Sequence, residues 1–166
     1  MADIIEVHTE AQIAETARLA GEIWRQHYTP IIGQAQVDYM LKKFQSEAAI
    51  AAQIADGYEY YLLADEGESA GYLAVVPDPP QSALLLSKIY VLDAKRGCGY
   101  GRKMLLFAEE LCRQRQLKTL WLTVNKNNSN SIAWYMQMGF ANAGPIVQDI
   151  GNGFVMDDYR MEKTVC

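Results

Sequence analysis

Apolar residues recur at intervals of three and four between Ala11 and Gln26, where Ile13, Ala17, Ala20, Ile23 and Trp24 share one stripe. That spacing predicts a helix with the stripe against a core. Thr9 stands where an N-cap belongs, and a short strand from Asp3 to His8 is expected before it. Pro30 and Gly33 break the pattern between Tyr28 and Gly33, and a second helix is predicted from Gln34 to Phe44. Ser46 is placed to cap a third from Glu47 to Ala55. Tyr58 to Asp65 and Gly71 to Val76 read as a hairpin joined by the acidic turn Glu66-Gly67-Glu68. Pro77, Asp78, Pro79 and Pro80 predict a connection outside any helix or central strand, and Ser82 to Leu92 is the next strand. A stripe of Met104, Leu105, Ala108, Leu111 and Cys112 marks a helix reaching about Gln114. Lys118 to Val124 is strand-like, and Asn128 or Ser129 should cap a helix that ends at Gly139. Phe140 to Val147 and Gly153 to Lys163 then pair around Gly151-Asn152-Gly153. No linker, repeat or low-complexity tract divides residues 1–166, so the pattern predicts one α/β domain with a mixed, mostly antiparallel sheet.

Composition narrows the class. The chain has 166 residues, half of them apolar, which is enough for a core without staples and argues against disorder. Three cysteines, Cys98, Cys112 and Cys166, and two histidines, His8 and His27, suggest neither a disulfide framework nor a metal cluster. A reducing cytoplasm is the expected location. The first ten residues, MADIIEVHTE, lack a basic segment followed by an apolar run, and no stretch is apolar enough for a helical membrane span. The net charge of −5 argues against a nucleic-acid partner held through phosphates. Lys95, Arg96, Arg102 and Lys103 nevertheless form a local basic cluster.

That cluster surrounds the most distinctive segment, SKIYVLDAKRGCGYG, from Ser87 to Gly101. An apolar strand runs into a turn with Gly97, Gly99 and Gly101 and then into a helix expected to begin near Arg102. Backbone N–H groups freed by glycine, together with the positive end of a helix, suit a phosphate or pyrophosphate. The Lys-Ser/Thr of a nucleotide-triphosphatase loop is absent, since Arg102, Lys103 and Met104 follow the glycines. A dinucleotide fingerprint also fails, for its third glycine would fall on Arg102 or Met104. The remaining pattern, Arg96-x-x-Gly99-x-Gly101, resembles the acetyl-CoA pyrophosphate loop of the GNAT superfamily of N-acetyltransferases. Downstream, VNKNNSNSIAWYMQMGF from Val124 to Phe140 is similar to a later block of the same superfamily, with Asn125, Asn128, Tyr135, Gly139 and Phe140 in register and Ser131 in place of an alanine. Two motifs in the expected order are far more specific than either alone.

The resemblance implies a GNAT fold, in which two central strands splay into a V, and acetyl-CoA as co-substrate with no metal. It implies that Ile89, Tyr90 and Val91 bind pantetheine through the main chain. Arg96, Gly97, Cys98, Gly99, Tyr100, Gly101 and Arg102 would hold the pyrophosphate, and Asn125 and Asn128 would reach the pantetheine arm. Tyr135 would protonate the leaving CoA thiolate as a primary amine attacks the thioester directly; a phenol is protonated at neutral pH and can serve so. Many members use a glutamate as base on the strand before the loop, but Ser82 to Leu92 contains no carboxylate or histidine. His27, Glu22, Asp149, Asp157 and Asp158 are candidates by ionisation alone, a water chain is another, and His27 reads as a surface residue at a helix end. Trp24, His27, Tyr28, Tyr39 and Met40 are candidates for recognising the acceptor, a small-molecule or peptide amine, with aromatic walls suited to a cation. The closing hairpin resembles that of bacterial members. A non-catalytic acyl-CoA-binding or sensor domain of the same fold is the rival reading, and a homodimer is one option for assembly.

Overall fold

The computed structural model describes residues 2–165, so Cys166, counted above, lies outside the described residues. The chain runs β1 (Ala2–Glu6), α1 (Glu10–Ile32), α2 (Gln34–Phe44), α3 (Glu47–Ala55), β2 (Glu59–Asp65), β3 (Glu68–Asp78), β4 (Ala83–Val91), α4 (Tyr100–Gln114), β5 (Thr119–Asn125), α5 (Ser129–Gln137), β6 (Ala141–Gly151) and β7 (Phe154–Thr164). All seven strands form one sheet in the order β1-β2-β3-β4-β5-β7-β6. Every pairing is antiparallel except β4 with β5, which the α4 crossover joins in parallel.

Each face of the sheet carries its own core. Leu19, Ile23 and Trp24 of α1, Val37 and Leu41 of α2 and Ile50 of α3 pack on one face, over Tyr60, Leu62 and Tyr72. Met104, Leu105, Ala108 and Cys112 of α4, with Tyr135 of α5, pack on the other, over Leu73, Leu84 and Leu120. A buried hydrogen-bond chain runs through the first core. Trp24 Nε1 donates to Tyr72 Oη (2.8 Å), Tyr72 to Gln45 Oε1 (2.7 Å), Gln45 Nε2 to Tyr60 Oη (2.9 Å), and Tyr60 to Gln53 Oε1 (2.5 Å). It satisfies the polar ends of aromatic rings that would otherwise be costly to bury.

Local chemistry explains most boundaries. At the start of α1, Thr9 Oγ1 accepts from Gln12 N–H while Gln12 Oε1 accepts from Thr9 N–H, a reciprocal capping box. Glu66 and Gly67 both take positive φ, 54° and 83°, in a two-residue hairpin turn, and Asn152 and Gly153 repeat the device between β6 and β7. The expectations at two prolines fail. Helix α1 does not stop before Pro30 but continues through it to Ile32. The proline lies in the last turn, where its missing N–H forfeits one bond, and Gly33 at φ 86° ends the helix instead. Likewise Pro77 and Asp78 belong to β3, opposite Leu84 and Ala83. The β2 pairing ends at Glu59 opposite Val75, so at Pro77 the outer edge of β3 has no neighbour that would need an N–H.

Candidate active site

The site begins with one extra residue. Ala74 pairs with Lys88 and Val75 with Leu86, leaving Ser87 as a bulge in β4. A bulge bends its strand, and β4 parts from β5 at this point: their pairing stops at Leu85 opposite Trp121. Beyond it the two strands, from Leu86 to Val91 and from Leu122 to Asn125, no longer pair with each other, and a cleft of about 740 Å³ opens between them. Its walls include His27 and Tyr28 from α1, Ile89, Tyr90 and Val91 from β4, the glycine loop, and Asn128, Trp134 and Tyr135 from the cap and body of α5.

The glycine loop turns its backbone toward this space. Gly97 and Gly99 take φ of 83° and 79°, and Gly99 is the N-cap of α4. The helix starts at Tyr100, two residues earlier than the sequence suggested, so Gly101 is helical rather than part of the turn. Lys103 N–H is the first to reach a helical carbonyl, that of Gly99 (3.0 Å). Among the described residues, no N–H from Gly97 to Arg102 has a hydrogen-bond partner. A row of unpaired donors at a helix start, flanked by Lys95, Arg96 and Arg102 on the cleft wall, is an anion cradle. Cys98 is exposed and is not part of that wall.

His27 lies inside α1, not at its end, because the helix continues beyond it. Its Nδ1 meets Arg96 Nη2 at 3.2 Å and its Nε2 meets the Asn128 side-chain amide at 3.0 Å. Both partners, the Arg96 guanidinium and the Asn128 Nδ2, are donors, so a neutral ring accepts from one of them at a time. Burial, and then the Arg96 charge, push the His27 pKa below its ordinary value. The ring thus ties α1 to both the glycine loop and the start of α5. Asn128 caps α5, its Oδ1 accepting from Ser131 N–H at 3.4 Å.

Tyr135, on α5, is 9% exposed, with its ring against Trp134 (5.2 Å between centroids) and Phe140 (5.7 Å). Its hydroxyl makes no hydrogen bond among the described residues although the side chain lines the cleft. Burial raises its pKa, so the phenol stays protonated through the neutral range.

A second cavity of about 60 Å³ adjoins the cleft and shares Tyr28, Ser87, Lys88, Tyr90 and Thr123 with it. Its walls also include Trp24, Met40, Asn125, Met156 and Asp158. Tyr28 and Tyr90 share a hydroxyl hydrogen bond of 2.8 Å. The Lys88 ammonium lies 5.5 Å from the Trp24 ring centre, and burial lowers its pKa to about 8. Asp158 is buried and its carboxyl is raised to about 6, chiefly by desolvation. Trp24, Tyr28 and Met40 therefore meet at the site. Asn125 lines this smaller cavity rather than the main cleft, and its Oδ1 accepts from Asn127 N–H at 2.9 Å. Tyr39 lines neither space: its hydroxyl donates to Ile150 carbonyl (2.8 Å) and its ring packs on Phe154. The sequence reading passed over Lys88, whose signal was a single charge in the otherwise uncharged strand ALLLSKIYV.

Known proteins share this architecture. The model of the acetyltransferase (GNAT) family matches residues 20–140. Streptothricin acetyltransferase of Streptomyces lavendulae is 33% identical over 90 residues, a stretch covering 54% of this chain and about half, 48%, of that protein. An uncharacterized N-acetyltransferase in the pepI 3′ region of Lactobacillus delbrueckii subsp. lactis is 30% identical over 132 residues, 75% of this chain and 76% of the relative. Among solved structures, the PaiA N-acetyltransferase of Thermoplasma acidophilum, in complex with coenzyme A, superposes with a TM-score of 0.79 at 16% identity, over 99% of both chains. At that identity the likeness speaks for the fold alone. The splayed sheet, the glycine cradle and a family match over most of the length agree, and the chain belongs to the GNAT family of acetyltransferases.

Proposed function

We propose that the chain moves an acetyl group from acetyl-CoA to a primary amine by direct attack, with Tyr135 protonating the departing thiolate. The observation that carries the reading is the row of unpaired N–H groups from Gly97 to Arg102, opening on a cleft that continues to Tyr135. Those donors, with Lys95, Arg96 and Arg102, suit the pyrophosphate, and the free edge of β4 at Ile89, Tyr90 and Val91 suits the amides of pantetheine. Acetyl-CoA supplies the activated acyl group. A β4 main-chain N–H would meet the charge that develops on the carbonyl oxygen, and the Tyr135 hydroxyl, held protonated by burial and without a hydrogen-bond partner among the described residues, would give its proton to sulfur. The acceptor enters between α1 and the closing hairpin, past Trp24 and Tyr28.

Thermal unfolding with and without acetyl-CoA, followed by thiol release in the presence of a panel of amines, tests the reading. A cofactor at 100 times its Kd stabilises the native state by about 2.7 kcal/mol, enough to raise the midpoint clearly. A shift with thiol release for one amine class supports the transferase. A shift without release from any amine marks a non-catalytic acyl-CoA-binding domain, and no shift at saturating acetyl-CoA defeats the proposal.

A further inference from the structure

An amine of ordinary basicity reaches the site as an ammonium and must lose a proton before it can attack. The main cleft offers no carboxylate among the residues that line it. His27 is engaged at Nδ1 by Arg96, beside the glycine loop. Among the other ionisable candidates, Glu22 is exposed on α1 and contacts Arg18 (3.3 Å), Asp149 accepts from Gly151 N–H (2.8 Å), and Asp157 pairs with Lys126 (2.7 Å). Asp158 differs from all of these. It is 4% exposed, it is the carboxylate lining the smaller cavity, and no lysine or arginine lies within 4.0 Å of it among the described residues. The register of β7 places it opposite Asn125, at the open end of β5, on the side where Trp24, Tyr28 and Tyr90 form aromatic walls.

We infer that Asp158 is the general base of this enzyme, drawing the proton from the acceptor ammonium in the smaller cavity, whose wall it shares with Lys88. The inference rests on the acetyl-transfer reading above. The atoms balance: the ammonium gives one proton to Asp158, which passes it to solvent, and the neutral nitrogen forms the C–N bond as the C–S bond breaks. The second proton lost by nitrogen replaces the one Tyr135 has given to sulfur, so amide, thiol and one free proton result. The charged and titratable groups facing the carboxylate are Lys88 and Tyr90 from β4, Tyr28 from α1, Lys126 beyond β5 and Asp157 beside it on β7. Burial opposes the charged carboxylate most strongly, a hydrogen bond from the Thr123 hydroxyl favours it next, and then Asp157 opposes it while the two lysines favour it.

The test compares wild type, Asp158→Asn and Lys88→Met by acetyl-CoA titration and by thiol release with spermidine, L-lysine, a peptide with N-terminal alanine, streptothricin, and hydroxylamine, which is already neutral near pH 7. Asp158→Asn is expected to lower kcat with the ammonium acceptors by about 100-fold or more, the usual scale of general base catalysis, with acetyl-CoA affinity unchanged. Hydroxylamine turnover should fall far less, because it presents no ammonium proton to remove before attack. The acidic limb of the kcat/KM profile should lose the Asp158 inflection in Asp158→Asn and follow the acceptor amine's own ionisation instead, and it should move to higher pH in Lys88→Met, which a packing role for either residue would not produce. Wild-type-like turnover of any ammonium acceptor by Asp158→Asn overturns the assignment while leaving the transferase intact. A wild-type chain that binds acetyl-CoA yet acetylates nothing in the panel removes the transfer reading, and the base with it.

Discussion

Tyr135 combines a packing ring with an unbonded hydroxyl, and the two can be separated experimentally. Tyr135→Phe keeps the contacts with Trp134 and Phe140, so it should leave the unfolding midpoint nearly unchanged while turnover falls by about 100-fold or more. Tyr135→Ala would instead empty a core position at a cost of about 3–5 kcal/mol and say nothing about chemistry. The glycines of the loop divide in the same manner. At Gly99 the backbone needs φ 79°, so Gly99→Ala should cost about 1–2 kcal/mol and weaken acetyl-CoA binding. Gly101 is helical, and an added Cβ would make ordinary contact with Trp134 at 3.4 Å, so Gly101→Ala should bind the cofactor nearly as wild type. Isothermal titration on the two variants checks the contrast. The cradle and Tyr135 were legible in the sequence because each sits inside a contiguous motif. Asp158 was one acidic residue among several there, and Lys88 passed unnoticed, because β4 and β7 contribute them from distant segments and only sheet order brings them to one cavity.

Among the elements, α2 and α3 appear with the boundaries their caps and periodicity predict, and both tight hairpins follow from Glu66-Gly67 and Asn152-Gly153. The failures, at Pro30 and Pro77, share a cause. Proline penalises a missing N–H only where a partner expects one, and whether a partner exists depends on neighbours that local sequence does not name. The bulge at Ser87 was hidden for the same reason, although the splay it creates was implied by family likeness. Helix α1 depends on its capping box, and Thr9→Ala should destabilise the protein by about 1 kcal/mol in chemical denaturation without changing acetyl-CoA affinity. Gly71 is a different case. A Cβ there would lie 2.4 Å from the Tyr90 carbonyl oxygen, so Gly71→Ala must push β3 and β4 apart beside the cleft. It should lower both stability and cofactor affinity.

For the molecule as a whole, the buried carboxylate sets stability against activity. Folding raises the Asp158 pKa to about 6, so the folded chain holds this proton more tightly than the unfolded one. The resulting destabilisation is fully present above about pH 6 and fades as pH falls toward the ordinary carboxylate value of about 3.9. Asp158→Asn should therefore raise the unfolding midpoint at pH 8 and lose that advantage near pH 4, even as it removes turnover. Scanning calorimetry across that range measures the trade directly. The parting of β4 from β5 has a consequence for the order of events. It makes the sheet a wall with a window, reached by residues of α4 and α5 from one side and of α1 from the other. Two ligands arriving from opposite rooms need not queue at one door, and neither has to leave before the other enters. Initial rates measured against both substrates should accordingly give intersecting rather than parallel double-reciprocal lines, the signature of a ternary complex instead of an acylated enzyme.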